Sequence, residues 1–536
     1  MEKSLILLIT VALLSIQVVM AKTSPALINK EIHLKQGLIM GNSRDNNGVL
    51  SYKGIPYAKA PIGDLRWKTP QKMKAWTGTL DATQFGNSCI SSLEDDPMKV
   101  TTKSEDCLNL NVWTPAKSSD EKLPVMVWIH GGGFQFGSSS EKSMDGTKLA
   151  EKGVVIVTFN YRLGVLGFLA HPELDKEGPS GNYGLQDQIA ALKWVKENIA
   201  DFGGDPNNVT IFGESAGAMS EGILTVSPLA EGLFHKVIAQ SGAFWDNKNG
   251  PLESFEEAHT RGITYMNKMG AKSIKELRAM SAEDLAQASL WNFSRSPITT
   301  AFSPNVDRYV LPDFPAHLYA QNKQMKVPLL AGWTSAEYYP FTAFSLPHDT
   351  PEEFKAAATR MFGKEKIDEF LKLYPASNTE QTKESAYSFV SDFAISEQTW
   401  YWLEMQHRSG NVPVYGYEFG YTSPYLPIAS HISDVTFVFG TLTPQVIIHS
   451  NTPPSETDYK MSDLIMTYWT NFAKTSNPNG SGLPYWPSYD EKKNIQYLNN
   501  QVEGKPIDEL QLKRFHFLSG FRTEGIFPMR WRTDVN

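Results

Sequence analysis

Cysteine is almost absent from this chain: Cys89 and Cys107 are the only two in 536 residues. So small a number excludes a disulfide-dense small-module architecture. The two cysteines and 11 histidines show no metal-ligand spacing, and no metal or cofactor is expected. A block of one charge is also missing. The net charge is −8, and no Lys/Arg cluster points to a nucleic-acid partner. No Pro/Gly/Ser-rich linker, charge run or repeat divides the sequence. The length prior of about three domains therefore yields to one unit over 22–536. The only membrane-like apolar run is N-terminal. Lys3 precedes the largely apolar Leu5–Met20, and Val19-Met20-Ala21 resembles a small-residue cleavage site. Residues 1–21 read as a signal peptide cut after Ala21. An uncleaved anchor is the alternative, but the run is short and is broken by Thr10, Ser15 and Gln17. No second span follows, so the protein is expected to be secreted or periplasmic without a stable membrane anchor. Trp531–Asn536 is neither an ER-retention signal nor a lipid-anchor tail.

What the chain does have is core: 41% of its residues are hydrophobic. Leu123–His130 and Val154–Asn160 are continuous apolar runs, as expected of strands buried on both faces. Leu185, Ile189, Leu192, Val195 and Ile199 recur at helical spacing. Asn208–Phe212, Val237–Ser241, Val327–Ala331 and Val414–Phe419 read as further strands. Alternating buried strands and helices predict an α/β fold: a large, mostly parallel central sheet covered by helices. Residues 250–325 and 350–410 are more polar and helix-rich, and read as helical insertions over the active site at the sheet's carboxyl edge.

Gly213-Glu214-Ser215-Ala216-Gly217 carries the chemistry. Alone, G-x-S-x-G is weak in a chain with 39 glycines, and Ser215 would be an ordinary turn serine. Here an apolar strand precedes it and a helix-compatible segment follows. That context defines a nucleophile elbow, a strand-to-helix turn that leaves the serine hydroxyl exposed at its tip. Such a hydroxyl needs a base, and the base needs an orienting acid. In this architecture the order is serine, acid, histidine. Glu337, on a loop after the strand Pro328–Gly332, is the candidate acid; a solvated loop glutamate is the alternative. His431, before Val435–Phe439, is the candidate base, although His348, His407, His449 and His516 also follow the acid. A developing oxyanion needs backbone donors. His130-Gly131-Gly132-Gly133-Phe134 follows a strand and lets the main chain approach a ligand, so Gly132, Gly133 and Ala216 are expected to supply them. A flexible connector is the alternative reading of the triplet.

Together these motifs resemble the type-B carboxylesterases of the carboxylesterase/lipase family. The resemblance also rests on Tyr52–Ala58 with Leu65-Arg66-Trp67, Ser104–Val112, Asn160-Tyr161-Arg162, Gly181–Gln188, Phe202–Pro206, Tyr468–Ala473 and Trp486–Tyr489. It implies the α/β-hydrolase fold, hydrolysis of small-molecule carboxylic esters through an acyl-enzyme, a Ser215–Glu337–His431 triad and a Cys89–Cys107 bridge. In an exported chain an isolated cysteine pair is in any case more often bridged than left as two buried thiols. Arg66, Glu105, Arg162 and Asp187 match charged positions that look structural in the family. Two departures flank the triad. Tyr338 stands where the family has glycine after the acid, and Ile432-Ser433-Asp434 replaces Gly-x-Glu after the histidine. Trp245, Trp333, Tyr338 and Phe134 are candidates for an aromatic pocket, or for core. A non-catalytic adhesion protein on the same fold and an esterase specialised for a bulky ester are the competing readings. The chain also resembles the cholinesterases, whose quaternary ammonium rests on a tryptophan between the bridged cysteines; residues 90–106 hold no Trp, Tyr or Phe. Sequons stand at Asn208, Asn292 and Asn479. Asn208, leading into the elbow strand, is a poor glycan site. Oligomeric state is not readable.

Overall fold

The computed structural model describes residues 27–92, 102–242, 252–290, 301–342, 345–410, 412–442 and 450–523. The expected signal peptide, Trp245 and Asn292 lie outside them. In chain order the strands are β1 (Glu31–Leu34), β2 (Gly37–Met40), β3 (Leu50–Pro56), β4 (Thr79–Asp81), β5 (Asn109–Thr114), β6 (Leu123–Ile129), β7 (Val155–Phe159), β8 (Gly204–Glu214), β9 (Lys236–Gln240), β10 (Leu329–Thr334), β11 (Val414–Phe419), β12 (Asn494–Leu498) and β13 (Val502–Pro506). β1, β2 and β4 form a small separate sheet. The other ten form one sheet in the order β13-β12-β11-β10-β9-β8-β6-β7-β5-β3. From β7 through β12 all neighbours are parallel, and antiparallel strands close both edges.

Parallel strands buried on both faces explain the unbroken apolar runs. Along β6 the side chains alternate between two cores. Val125, Val127 and Ile129 join the core on one face, and Met126 and Trp128 join the core on the other. The helix Tyr183–Asn198 packs over the first face, and the helix Glu456–Thr475 packs over the second.

Two boundaries differ from expectation. β8 begins at Gly204 rather than Asn208, because the chain pairs with Leu123 before a register shift that admits Pro206. β10 runs to Thr334 instead of ending near Gly332. That glycine is not a stop. A Cβ there would lie 2.2 Å from the Tyr417 ring of β11, so its bareness admits the neighbouring side chain. The first insertion contains the helices Phe255–Lys268, Ile274–Arg278, Ala282–Ala288 and Pro315–Ala320. The second contains Pro351–Phe362, Ile367–Leu373, Thr379–Ser391 and Glu397–Arg408, with a π-helical turn at Asp392–Ser396. A third core joins this second insertion to the C-terminal helix Glu509–Thr523.

Candidate active site

Ser215 stands between the end of β8 and the helix Ala216–Leu224, with φ +54° and ψ −120°. Few non-glycine residues hold such a backbone, and its cost marks a turn fixed by its surroundings. The flanking glycines show what fixes it. A Cβ on Gly217 would lie 1.9 Å from the Ile129 carbonyl, and one on Gly213 would lie 2.6 Å from the same oxygen. The helix thus crosses the end of β6 at a distance only glycine permits. Ser215 N–H donates to Gln240 O at 2.9 Å, and the residue is half-buried, within reach of a ligand.

The loop after β6 lies against this turn. A Cβ on Gly131 would come within 3.2 Å of Ser215 Cβ. Gly132 and Gly133 both have positive φ, +104° and +59°, and Gly132 O accepts from Gln135 N–H at 2.9 Å to close the turn. Among the described residues, the N–H groups of Gly132, Gly133 and Ala216 have no protein acceptor. Ala216 is the first residue of its helix, where an unpaired N–H and the positive end of the helix dipole coincide.

Glu337 and His431 are brought together by a short parallel pairing beyond β10. Ala336 pairs with Ser430, and Ala336 N–H donates to Ala429 O at 3.0 Å. Glu337 is fully buried. One oxygen accepts from Thr334 N–H at 2.7 Å, and the other lies 2.5 Å from His431 Nδ1. His431 N–H donates to Tyr339 O at 3.2 Å, and the Phe341 ring meets the imidazole edge-on at 4.8 Å. Among the described histidines that follow the acid in sequence, His431 is the one bonded to it. Burial alone would lower its pKa, but the Glu337 and Glu214 carboxylates and the bond from Glu337 outweigh this and raise it to about 9.

The neighbour that sequence reasoning missed is Glu214. Its Oε1 lies 3.2 Å from His431 Nε2, yet the two are not aligned as a hydrogen bond. Among the described residues Nε2 has no hydrogen-bond partner. Burial pushes Glu214 well above the usual carboxyl range, His431 opposes this, and Asp434 and Glu337 add to it. The only signal was a charged residue ending an apolar strand. Asp434, at the second sequence departure, accepts from Tyr417 Oη at 2.8 Å, and burial raises its pKa to about 6.

Of the candidate aromatic residues that the structure describes, Trp333 and Phe134 take the core alternative. Trp333 points into the core, its indole N–H donating to Glu418 at 3.1 Å and its ring packed on Phe515. Phe134 is buried against Phe168. Tyr338 stacks on Tyr387 with ring centroids 4.4 Å apart, beside a cavity of about 450 Å³ that also touches Ser391 and Asp392. The ring that meets His431 is Phe341, which carried no motif. Cys89 and Cys107 are bonded, with Cα atoms 5.0 Å apart. Arg66–Glu105 and Arg162–Asp187 are two-bonded ion pairs within the structure. The Asn208 side chain accepts from Lys236, and that of Asn479 bonds both N–H and C=O of Trp486.

The sheet order, the elbow and the loop after β6 define the α/β-hydrolase fold. The profile of the carboxylesterase family matches residues 28–518. The chain is 37% identical to a para-nitrobenzyl esterase of Bacillus subtilis (strain 168), covering 88% of this chain and 95% of that one. It is 36% identical to a fumonisin B1 esterase of Sphingopyxis macrogoltabida, covering 88% and 86%. The solved structure of a thermophilic PNB esterase superposes with a TM-score of 0.78 at 35% identity, covering 91% of this chain and 100% of that one. The chain therefore belongs to the carboxylesterase family and is a carboxylic ester hydrolase.

Proposed function

We propose that this enzyme hydrolyses small-molecule carboxylic esters through a Ser215–Glu337–His431 triad and an acyl-enzyme. The observation that carries the reading is the 2.5 Å Glu337–His431 Nδ1 bond, which leaves Nε2 without a hydrogen-bond partner beside the residue preceding Ser215. His431 takes the Ser215 proton as Oγ attacks the ester carbonyl. Glu337 orients the ring and stabilises the imidazolium. Charge on the former carbonyl oxygen meets the N–H groups of Gly132, Gly133 and Ala216. The tetrahedral intermediate expels the alcohol, which takes the proton from His431. Water then attacks the acyl-enzyme with His431 again as base, releasing the acid and restoring Ser215.

The catalytic unit spans 22–536, after removal of 1–21 on export. A bridged cysteine pair accords with an oxidising compartment. No helix among the described residues is long and apolar enough to cross a membrane. N-terminal sequencing of the exported protein should begin at Lys22.

Ser215→Ala tests the core of the proposal. The variant should fold, and its turnover of an activated aryl ester should fall by roughly 10⁴-fold or more. A loss within about tenfold would reject Ser215 as nucleophile.

A further inference from the structure

Tyr338 stands where the family has glycine, and its side chain has no part in the ester chemistry. Its backbone N–H donates to Ser391 Oγ at 2.9 Å, and its ring stacks on Tyr387. Both rings line the cavity of about 450 Å³ between the end of β10, the helix Thr379–Ser391 with the π-helical turn after it, and the C-terminal helix Glu509–Thr523. The wall is unlike that of an apolar pocket. Of its eleven side chains, five are serine or threonine, two are tyrosine, and the rest are Glu384, Asp392, Gln511 and Arg514; none is aliphatic. Much of this polar surface is accessible. Ser335 and Glu384 are exposed, and Tyr338, Tyr387 and Ser388 are half-buried. Among the described residues, no hydrogen bond to protein engages the hydroxyls of Ser335, Ser388, Tyr338 and Tyr387 or the Glu384 carboxylate. Two groups are partly engaged. Asp392 accepts from Tyr374 Oη at 3.0 Å and lies 4.0 Å from Arg514 Nη1, while Arg514 Nε donates to Leu373 O at 2.9 Å. Among the described residues Arg514 Nη2 has no protein acceptor.

We propose that this cavity binds a neutral sugar, as one pyranose or two linked pyranoses. A pyranose carries hydroxyls around its rim, each both donor and acceptor, and C–H groups on its faces. The rim matches a wall that offers acceptors at Glu384 and Asp392, donors at Arg514, and hydroxyls that serve as either. The C–H groups match a tyrosine ring, whose face is the negative side of its quadrupole. The volume fits as well. A cavity of about 150 Å³ holds one bare six-membered ring, so 450 Å³ has room for two rings with their hydroxyls. Other classes of ligand fit worse. A hydrocarbon would strip water from hydroxyls and carboxyls and return no hydrogen bond. An anion would meet Glu384 and Asp392, and a cation would meet Arg514. The lining includes none of Ser215, Glu337 and His431, so this site stands or falls independently of the triad.

Calorimetric titration of the exported enzyme tests the assignment. The probes are cellobiose and maltose, which join two pyranoses differently, sorbitol, which has sugar hydroxyls and no ring, and cyclohexanol, a ring with one hydroxyl. At least one disaccharide should bind saturably, with a Kd in the millimolar range or below. Sorbitol and cyclohexanol should bind at least about tenfold more weakly. Binding heat is the readout, because sugars raise Tm merely by exclusion from the protein surface. Tyr387→Ala should weaken the disaccharide about tenfold, and Tyr387→Phe, which keeps the ring, by no more than about threefold. Ser388→Trp, which fills the cavity from the helix Thr379–Ser391, should abolish binding. Sorbitol bound as tightly as the disaccharide, or Tyr387→Ala equal to wild type, would remove the role of the rings. Disaccharide binding unchanged in Ser388→Trp would place it elsewhere. Either result overturns the proposal, as does the absence of saturable heat with both disaccharides. If the variants do not fold, the ranking of the wild-type ligands and a crystal soaked in the disaccharides decide: a pyranose in the cavity upholds the site, and water alone overturns it.

Discussion

In the proposed triad, the proton on His431 decides when Ser215 can react. Burial favours the neutral ring, while the carboxylates of Glu337 and Glu214 favour the charged one and raise the pKa to about 9. The base works only when neutral. The sign is therefore fixed: kcat/KM for a neutral ester should climb as pH rises through about 9, well above the 6.5 of an ordinary histidine. A profile measured between about pH 6 and 10 that levels off by about 7 would mean that the carboxylates do not act through the imidazole. Glu337→Gln removes the closest charge. It should move the midpoint down and lower the rate by roughly 10⁴-fold, less than His431→Ala does. At this scale much was legible and some was not. The candidate serine and acid of the proposed triad follow from motif and chain order. The choice of His431 over His516 does not, because it rests on the Ala336–Ser430 pairing, a contact between segments distant in sequence. Glu214 escaped notice because G-x-S-x-G treats its position as free, and Phe341 because an aromatic near the acid has no spacing to announce it.

The elbow is the element on which the site depends, and its glycines are steric requirements. Gly217→Ala would set a methyl 1.9 Å from the Ile129 carbonyl, against backbone on both sides. The helix must then move away from β6, at a cost of roughly 3 kcal/mol in denaturant unfolding and with loss of activity from the displaced Ser215. Gly520→Ala is the control. Among the described residues nothing lies within 4 Å of a Cβ built there, and it sits in the helix Glu509–Thr523, so it should gain stability, by up to about 1 kcal/mol. Equal effects from the two would refute the steric account. The element-level reading succeeded where burial on both faces wrote an apolar run, as in β6 and β7. It slipped where glycine or proline carried a tertiary meaning. Gly332 looked like a strand end but is a gap for Tyr417, and Pro206 hid the start of β8 behind a register shift.

At the scale of the molecule, one covalent link and the overall charge bear on behaviour. The Cys89–Cys107 bridge closes residues 90–106 beside the Arg66–Glu105 pair, which also reaches the carbonyls of Arg278 and Met280 in the first insertion. Replacing both cysteines with serine should cost roughly 3 kcal/mol of unfolding free energy. Exported wild-type protein, denatured without reductant, should take up no alkylating label. The remaining question is whether a cationic ester is preferred. A net charge of −8 attracts cations at long range, which raises association at low ionic strength and fades as the Debye length shrinks to about 8 Å near 0.15 M. True selectivity needs an aromatic face against the ammonium. Residues 90–106, where the cholinesterases that this chain resembles carry a tryptophan, contain no Trp, Tyr or Phe. Trp333 cannot substitute, being fully buried against Phe515. The ring at the histidine, Phe341, is already packed on the imidazole. An acetylcholine-type ester should therefore show a kcat/KM no higher than its neutral isostere, with carbon in place of nitrogen, at about 0.15 M salt. Any advantage of the cation at low salt should vanish on raising it, because screening removes long-range attraction but not a cation held on a ring. A preference for the cation that survives high salt would require an aromatic cage and would overturn this reading.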